Sequence, residues 1–281
     1  MTIAITAVSG QLGSIIAKSL VAMQTGIPIV GLARSPDRVQ VQGIEVRAGE
    51  YTDARAMKTA LAGVDTLLMV SLNTPPDTRT GQHQTAISAA KEAGVRRIVY
   101  TSVQGAEEGT AFLPVIQSNR QTETDLKASG MEWTIGRNGI YIEPDIEYID
   151  RYVQAGGIEN SAGDGRCGYT TRTELAAAYV SMLLDEQHNG QTYNLHGDLL
   201  TQAQLAAHMN NALGTDLTYR PMSVDDYRAD RIAALGDMMG TIIAGIYEGI
   251  RSGAMDRPSD FEAAAGRPHQ SWEDYFSALR A

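Results

Sequence analysis

Short apolar runs recur along the first half of the chain at residues 3–6, 28–33, 44–48, 66–71, 97–102 and 132–137, each the length of a strand. Between them lie polar or amphipathic stretches at 11–23, 53–61, 79–92 and 114–129, whose spacing predicts helices. Such alternation predicts parallel strands joined by crossover helices. Runs such as TLLMVS are apolar on both faces, as expected where helices cover both sides of a parallel sheet. The expected fold class is α/β with a doubly wound parallel sheet. After Arg137 the rhythm changes. NGIYIEPDIEYIDRYVQAGG reads as a turn and an irregular helix, and SAGDGRCGYTTRTELAAAYVSMLL as a glycine loop, an extended piece and a helix opening near Arg172. QTYNLHG reads as one more strand, and helices fill most of the rest. The expected division is a domain over 1–137, to which segments near 168–196 return, and a smaller, mostly helical lobe over 138–281.

Composition narrows the picture only a little. A chain of 281 residues fits one α/β core with an appended lobe. The net charge of -10 argues against a nucleic-acid partner, which calls for a basic face. The single Cys167 excludes an internal disulfide and suits a reducing compartment. With no charged-then-apolar leader and no long apolar run, the expectation is a cytoplasmic protein with no membrane contact. The five histidines lack ligand spacing, so no metal site is expected. Oligomeric state stays open, with a homodimer among the expectations. The stripe Met238, Met239, Ile242, Ile243, Ile246 and Ile250 is read as core before interface.

Candidate chemistry begins in TAVSGQLGS, where a strand runs into a glycine turn and then an apolar helix. In a dinucleotide loop one glycine permits the tight turn, one lets the backbone approach the pyrophosphate, and one lets helix and strand pack closely. Gly10 and Gly13 suit the second and third tasks, while Ala7 stands where the first glycine is expected. If Ala7 keeps a negative φ the methyl costs little; a positive φ costs more. Ser9 offers a hydroxyl to a phosphate oxygen. At the end of the second strand stands Arg34, with Ser35 and Arg38 nearby, where an NAD-selective loop carries an acid. Guanidinium forks suit a 2′-phosphate, so the preferred cofactor is NADP(H), with NAD(H) as the alternative. The G-x-G-x-x-G at Gly163, Gly165 and Gly168 follows no apolar strand and is read as a loop.

No Tyr-x-x-x-Lys couple occurs, since none of Lys18, Lys58, Lys91 and Lys127 has a tyrosine four residues before it. No Gly-x-Ser-x-Gly elbow occurs either, which counts against a hydrolase triad. Any hydride transfer then relies on positioning, with the proton from water or a weak polar group, and favours acceptors such as quinones or cationic dyes.

Taken together, AVSGQLG, GLARSPDR, VRAGEYTD, AISAAKEAGVRRIVYTSVQGAEE, ETDLKASGMEWTIGRNGIY and AGDGRCGYTTRTELAAAYV resemble the NmrA-like atypical short-chain dehydrogenases, and among them the NADPH-dependent quinone oxidoreductases of the second type and the triphenylmethane reductases. The resemblance implies a Rossmann-like NADP(H)-binding domain, a small C-terminal lobe and a cleft between them. It implies that Ser9, Gly10, Gln11, Leu12 and Gly13 line the pyrophosphate, Arg34 the 2′-phosphate, and Glu50 with Tyr51 the adenine. It places Ser71 and Leu72 beside the cofactor, and Ser102, Asn138 and Tyr141 as candidate catalytic residues near nicotinamide and substrate. Asn119 stands where related reductases carry a lysine or histidine, so a proton donor is expected elsewhere. The implied activity is NADPH-dependent reduction of a small-molecule electron acceptor. The alternative is a dinucleotide sensor without turnover. A sugar-nucleotide epimerase would need the missing tyrosine–lysine couple. The loops at 73–82 and 106–114 are expected to shape the acceptor pocket.

Overall fold

The computed structural model describes residues 1–105 and 112–280. Its first half comprises strands β1 (Ile3–Ile5), β2 (Ile29–Ala33), β3 (Glu45–Ala48), β4 (Thr66–Val70), β5 (Arg97–Val103) and β6 (Glu132–Asn138). Helices α1 (Gln11–Ala22), α2 (Ala54–Ala60), α3 (Pro76–Glu92) and α4 (Leu113–Ala128) connect them. The second half adds β7 (Ile140–Tyr141), α5 (Glu143–Glu147), α6 (Ile149–Ala155), β8 (Gly157–Asn160), β9 (Cys167–Thr170), α7 (Arg172–Leu184) and β10 (Thr192–Leu195). After these come β11 (Leu199–Leu200), α8 (Gln202–Leu213), β12 (Thr218–Pro221), α9 (Val224–Leu235), α10 (Asp237–Arg251), α11 (Phe261–Ala265) and α12 (Trp272–Ala278). The loop expected at 106–114 lies, for 106–111, outside the described residues.

Among the described residues, seven strands form one sheet in the order β3-β2-β1-β4-β5-β6-β10, and every neighbouring pair runs parallel. The order reverses between β1 and β4, and at such a switch point a crevice opens beyond the carboxyl ends of the strands. The central strands are short and almost wholly buried, because each face is covered. Ile3, Ile5, Leu68 and Val99 pack under α1 and α7. Ala4, Leu67, Met69 and Ile98 pack under α2, α3 and α4. A third core holds Ile158, Cys167, Tyr169, Met209, Met255 and Phe276 in the C-terminal part. There β11, β9 and β7 form a small sheet and β12 pairs with β8, so short strands punctuate the mostly helical C-terminal part. Cys167 is free and buried. On α10, Ile250 is buried while Met238 is 55% exposed, so the stripe expected as core is covered only in part.

Some helices begin on a side-chain cap: Asp53 accepts from the Ala56 amide at the start of α2, and Thr171 from the Glu174 amide at the start of α7. Helix α1 does not. It starts on Gly10 with no side-chain cap and no acidic residue in its first turn. Its first amides therefore have no partner within the helix and carry the positive end of the dipole. No helix among the described residues is long and apolar enough to cross a membrane.

Candidate functional site

The turn from β1 into α1 lies at the switch point. Ala7 adopts φ 49°, in the left-handed region that glycine usually fills. The Ala7 carbonyl accepts the Gly10 amide at 2.8 Å, closing the turn, and the Val8 amide donates to the Leu32 carbonyl at 3.3 Å, tying it to β2. A Cβ on Gly13 would stand 2.6 Å from the Ala7 carbonyl oxygen, so only glycine lets α1 pack this closely on the turn. Ser9, Gly10 and Gln11 are exposed, whereas Leu12 and Gly13 are buried. Neither the Ser9 hydroxyl nor the Gln11 amide has a protein partner among the described residues.

At the carboxyl end of β2, Arg34 and Arg38 are exposed and form no ion pair or hydrogen bond with any described residue. Glu50 is half-buried and accepts from the Thr52 hydroxyl at 2.9 Å. Tyr51 is buried instead. Its hydroxyl lies 2.6 Å from the Thr6 hydroxyl and donates to the Val70 carbonyl at 2.7 Å. The Thr6 oxygen also accepts the Val70 amide at 2.8 Å, so these two residues lock the carboxyl ends of β1 and β4 together. Burial raises the Tyr51 phenol pKa, and the hydroxyl acts as a structural pin.

The segment after β4 is pinned residue by residue. The Ser71 amide donates to Thr101 Oγ1 at 2.8 Å and the Ser71 hydroxyl to Asn119 Oδ1 at 3.1 Å. The Leu72 amide donates to His83 Nε2 at 3.2 Å. That leaves Nδ1 as the protonated ring nitrogen, facing Thr122 Oγ1 at 2.9 Å. Burial and the nearby Arg79 push the His83 pKa down to about 3. Arg79, one helical turn earlier, donates to the Thr74 carbonyl at 2.7 Å. Asn119 joins the same network: Oδ1 also accepts from Tyr100 at 2.6 Å, and Nδ2 donates to the Val115 carbonyl at 2.8 Å.

At the ends of β5 and β6, Ser102 is buried and donates to Glu123 Oε1 at 2.6 Å. Arg137 grips the same carboxylate through Nε at 3.0 Å and Nη2 at 2.7 Å, and Arg120 adds a contact at 2.8 Å. Burial alone would raise the Glu123 pKa, but the arginines and Ser102 hold it below the usual value. On the opposite face of β6, the Tyr179 hydroxyl donates to Asn138 Oδ1 at 2.6 Å, and Asn138 Nδ2 reaches the Tyr141 hydroxyl oxygen at 3.5 Å. The Arg172 guanidinium lies 5.0 Å over the Tyr141 ring. Burial raises the Tyr141 pKa, so the phenol stays protonated.

This uncapped helix, glycine-dependent turn and pair of unpaired arginines meet at one switch point, and the comparisons agree with what such a point binds. A family model described as NAD(P)H-binding matches residues 8–186, more than half of the chain. The chain belongs to this NAD(P)H-binding family. Quinone oxidoreductase 2 of Escherichia coli is 35% identical over 283 residues, covering 99% of this chain and 98% of that one. A crystal structure of the E. coli NADPH-dependent quinone oxidoreductase QOR2 with NADPH superposes with TM-score 0.90 at 34% identity, covering 100% of both chains. Triphenylmethane reductase from Citrobacter sp. with NADP(H) superposes with TM-score 0.89 at 28% identity, again covering 100% of both. These likenesses support an oxidoreductase function.

Within this NAD(P)H-binding chain, two kinds of predicted residue separate. Ser9, Gly10, Gln11 and Arg34 are exposed after β1 and β2, whereas the side chains of Tyr51, Ser71 and Ser102 serve internal networks. Sequence reasoning passed over Thr6, His83, Glu123 and Tyr179. Only the spacing of Arg79 and His83 on one face of α3 held a signal, because the other pairings join residues far apart in sequence.

Proposed function

We propose that the protein is an NADPH-dependent reductase of quinone-like or dye-like small molecules, acting by direct hydride transfer. The carrying observation is the unneutralised pair Arg34 and Arg38 at the end of β2, beside the uncapped start of α1. A dinucleotide pyrophosphate takes the free amides of α1 with Ser9 and Gln11, and a 2′-phosphate takes Arg34. Glu50 lies at the adenine side, and Ser71 and Leu72 wall the site. When bound, NADPH supplies the hydride.

The protein's own contribution is positioning. Tyr179 fixes the Asn138 amide, and that amide directs its N–H at the Tyr141 oxygen. Tyr141 therefore keeps its own proton to donate to an acceptor oxygen. The Ser102 hydroxyl is committed to Glu123, and Asn119 Nδ2 donates to the Val115 carbonyl. The quinone and dye reductases among the relatives support this choice of acceptor class. The test is a calorimetric titration with NADPH and separately NADH, followed by NADPH oxidation with a benzoquinone. Tight NADPH binding and steady turnover are expected. Binding without turnover on any quinone or dye would favour a redox sensor, and no binding would sink both readings.

A further inference from the structure

At the same carboxyl edge of the sheet, beyond β5, β6 and β10, a cavity of about 350 Å³ is lined by Gly105, Arg120, Arg137, Asn194 and Arg257. Its size suits a small organic molecule. Three guanidinium groups converge there, in a chain whose net charge is -10. Arg137 is balanced by Glu123 through Nε and Nη2, which leaves Nη1 without a partner among the described residues. The Arg257 side chain has no hydrogen bond or ion pair to any described residue. The acids flanking it are engaged elsewhere: Asp256 pairs with Arg166 at 2.8 Å, and Asp260 accepts the Asn194 amide at 2.9 Å.

The arrangement is also held in place. The Asp260 amide donates back to the Asn194 carbonyl at 2.8 Å, so the segment carrying Arg257 is clasped to the edge strand β10. Asn194 is paired in register with Arg137, which brings the free Asn194 side-chain amide beside the guanidinium.

We propose that this cavity is an anion site for a phosphate-ester, carboxylate or sulfonate group of a small molecule, gripped by Arg257 and Arg137 with Asn194. Guanidinium forks match the paired oxygens of such groups. The anion comes either from the acceptor itself, an assignment that rests on the reductase reading, or from a separate small molecule, which does not.

Inorganic phosphate is the first probe, followed by ³¹P line broadening on wild type, Arg257→Ala and Arg34→Ala, each checked by its melting curve. Binding weakened about tenfold by Arg257→Ala, and retained in Arg34→Ala, is the expected result. Phosphate binding unchanged by Arg257→Ala, or lost only in Arg34→Ala, overturns the proposal. Turnover with 1,2-naphthoquinone and its 4-sulfonate then finds the source. A fall in the sulfonate-to-parent ratio of kcat/KM on Arg257→Ala makes the anion part of the acceptor. An unchanged ratio with lost phosphate binding supports a separate anion. If neither quinone turns over, the reductase reading fails, while the phosphate result still decides the site.

Discussion

The two ends of the crevice are built on opposite plans. Around β1 and β2, Ser9, Gln11, Arg34 and Arg38 present polar side-chain groups with no partner among the described residues. From β4 to β6, polar side chains bind one another: His83 holds Leu72, Asn119 holds Ser71 and Tyr100, and Glu123 holds Ser102 and Arg137. A surface left unsatisfied is built to meet a ligand, while a satisfied network specifies the position of its backbone. Substitutions at the first end should therefore change affinity, and those at the second should change stability.

The largest expected effect is at the networked end and depends on pH. His83 titrates at 6.5 when unfolded and at about 3 in the fold. Between these values the unfolded chain binds a proton that the folded chain refuses. Stability from this group is thus complete above its unfolded pKa and drains as pH falls through the window, approaching about 5 kcal/mol at the acid limit. Asp145, raised by burial to about 6, contributes with the opposite sign, but equally in any His83 variant. Urea unfolding across this range should show a steeper acid loss for wild type than for His83→Gln. Parallel profiles would remove His83 from the account.

Gly13→Ala strikes where the two plans meet. Its methyl would press on the Ala7 carbonyl at 2.6 Å and the Thr6 carbonyl at 3.2 Å, both backbone atoms that cannot swing away. Overpacking of this kind costs about 1–3 kcal/mol. Stability and NADPH affinity should fall together, as read by chemical unfolding and calorimetry. A loss of neither would mean that α1 can shift along the sheet freely.

Arg34→Ala sharpens the contrast. The side chain is exposed and makes no hydrogen bond or ion pair with a described residue, so the melting temperature should hold. A lost charge-assisted bond to a 2′-phosphate is worth about 1.5–3 kcal/mol, or roughly ten- to a hundredfold in NADPH affinity. NADH binding should hardly change. Equal weakening of both cofactors would sink the 2′-phosphate assignment.

The same contrast explains what was legible in the sequence. The strands and helices of the first half were readable because each carries its own periodic pattern, and Ser9 and Arg34 could be proposed as cofactor contacts because each stands shortly after a strand. Ser102 was legible as a strand end, but its commitment to Glu123 needs α4 packed against β5, a pairing 21 residues apart. Tyr51 was expected at the adenine from the family resemblance; only the fold carries its hydroxyl across to Thr6 and Val70. The strands β7 and β11 carry only two residues each, too few to show a period at all.

Ala7→Gly is the smallest expected effect and the finest test of the open end. At φ 49° an L-residue bears roughly 1–2 kcal/mol of strain that glycine does not. Against this, glycine adds about 0.4–1 kcal/mol of unfolded-chain entropy, and the half-buried methyl loses some contact. The balance favours the variant by roughly 0.5–1 kcal/mol in unfolding experiments. NADPH binding should tighten slightly or stay level, since the turn geometry is already the one glycine prefers. A stability gain without loss of affinity would mean that Ala7 merely tolerates the left-handed turn. A marked loss of NADPH binding would mean that the methyl itself holds the loop against β2, and that the open end of the crevice depends on packing as much as the networked one.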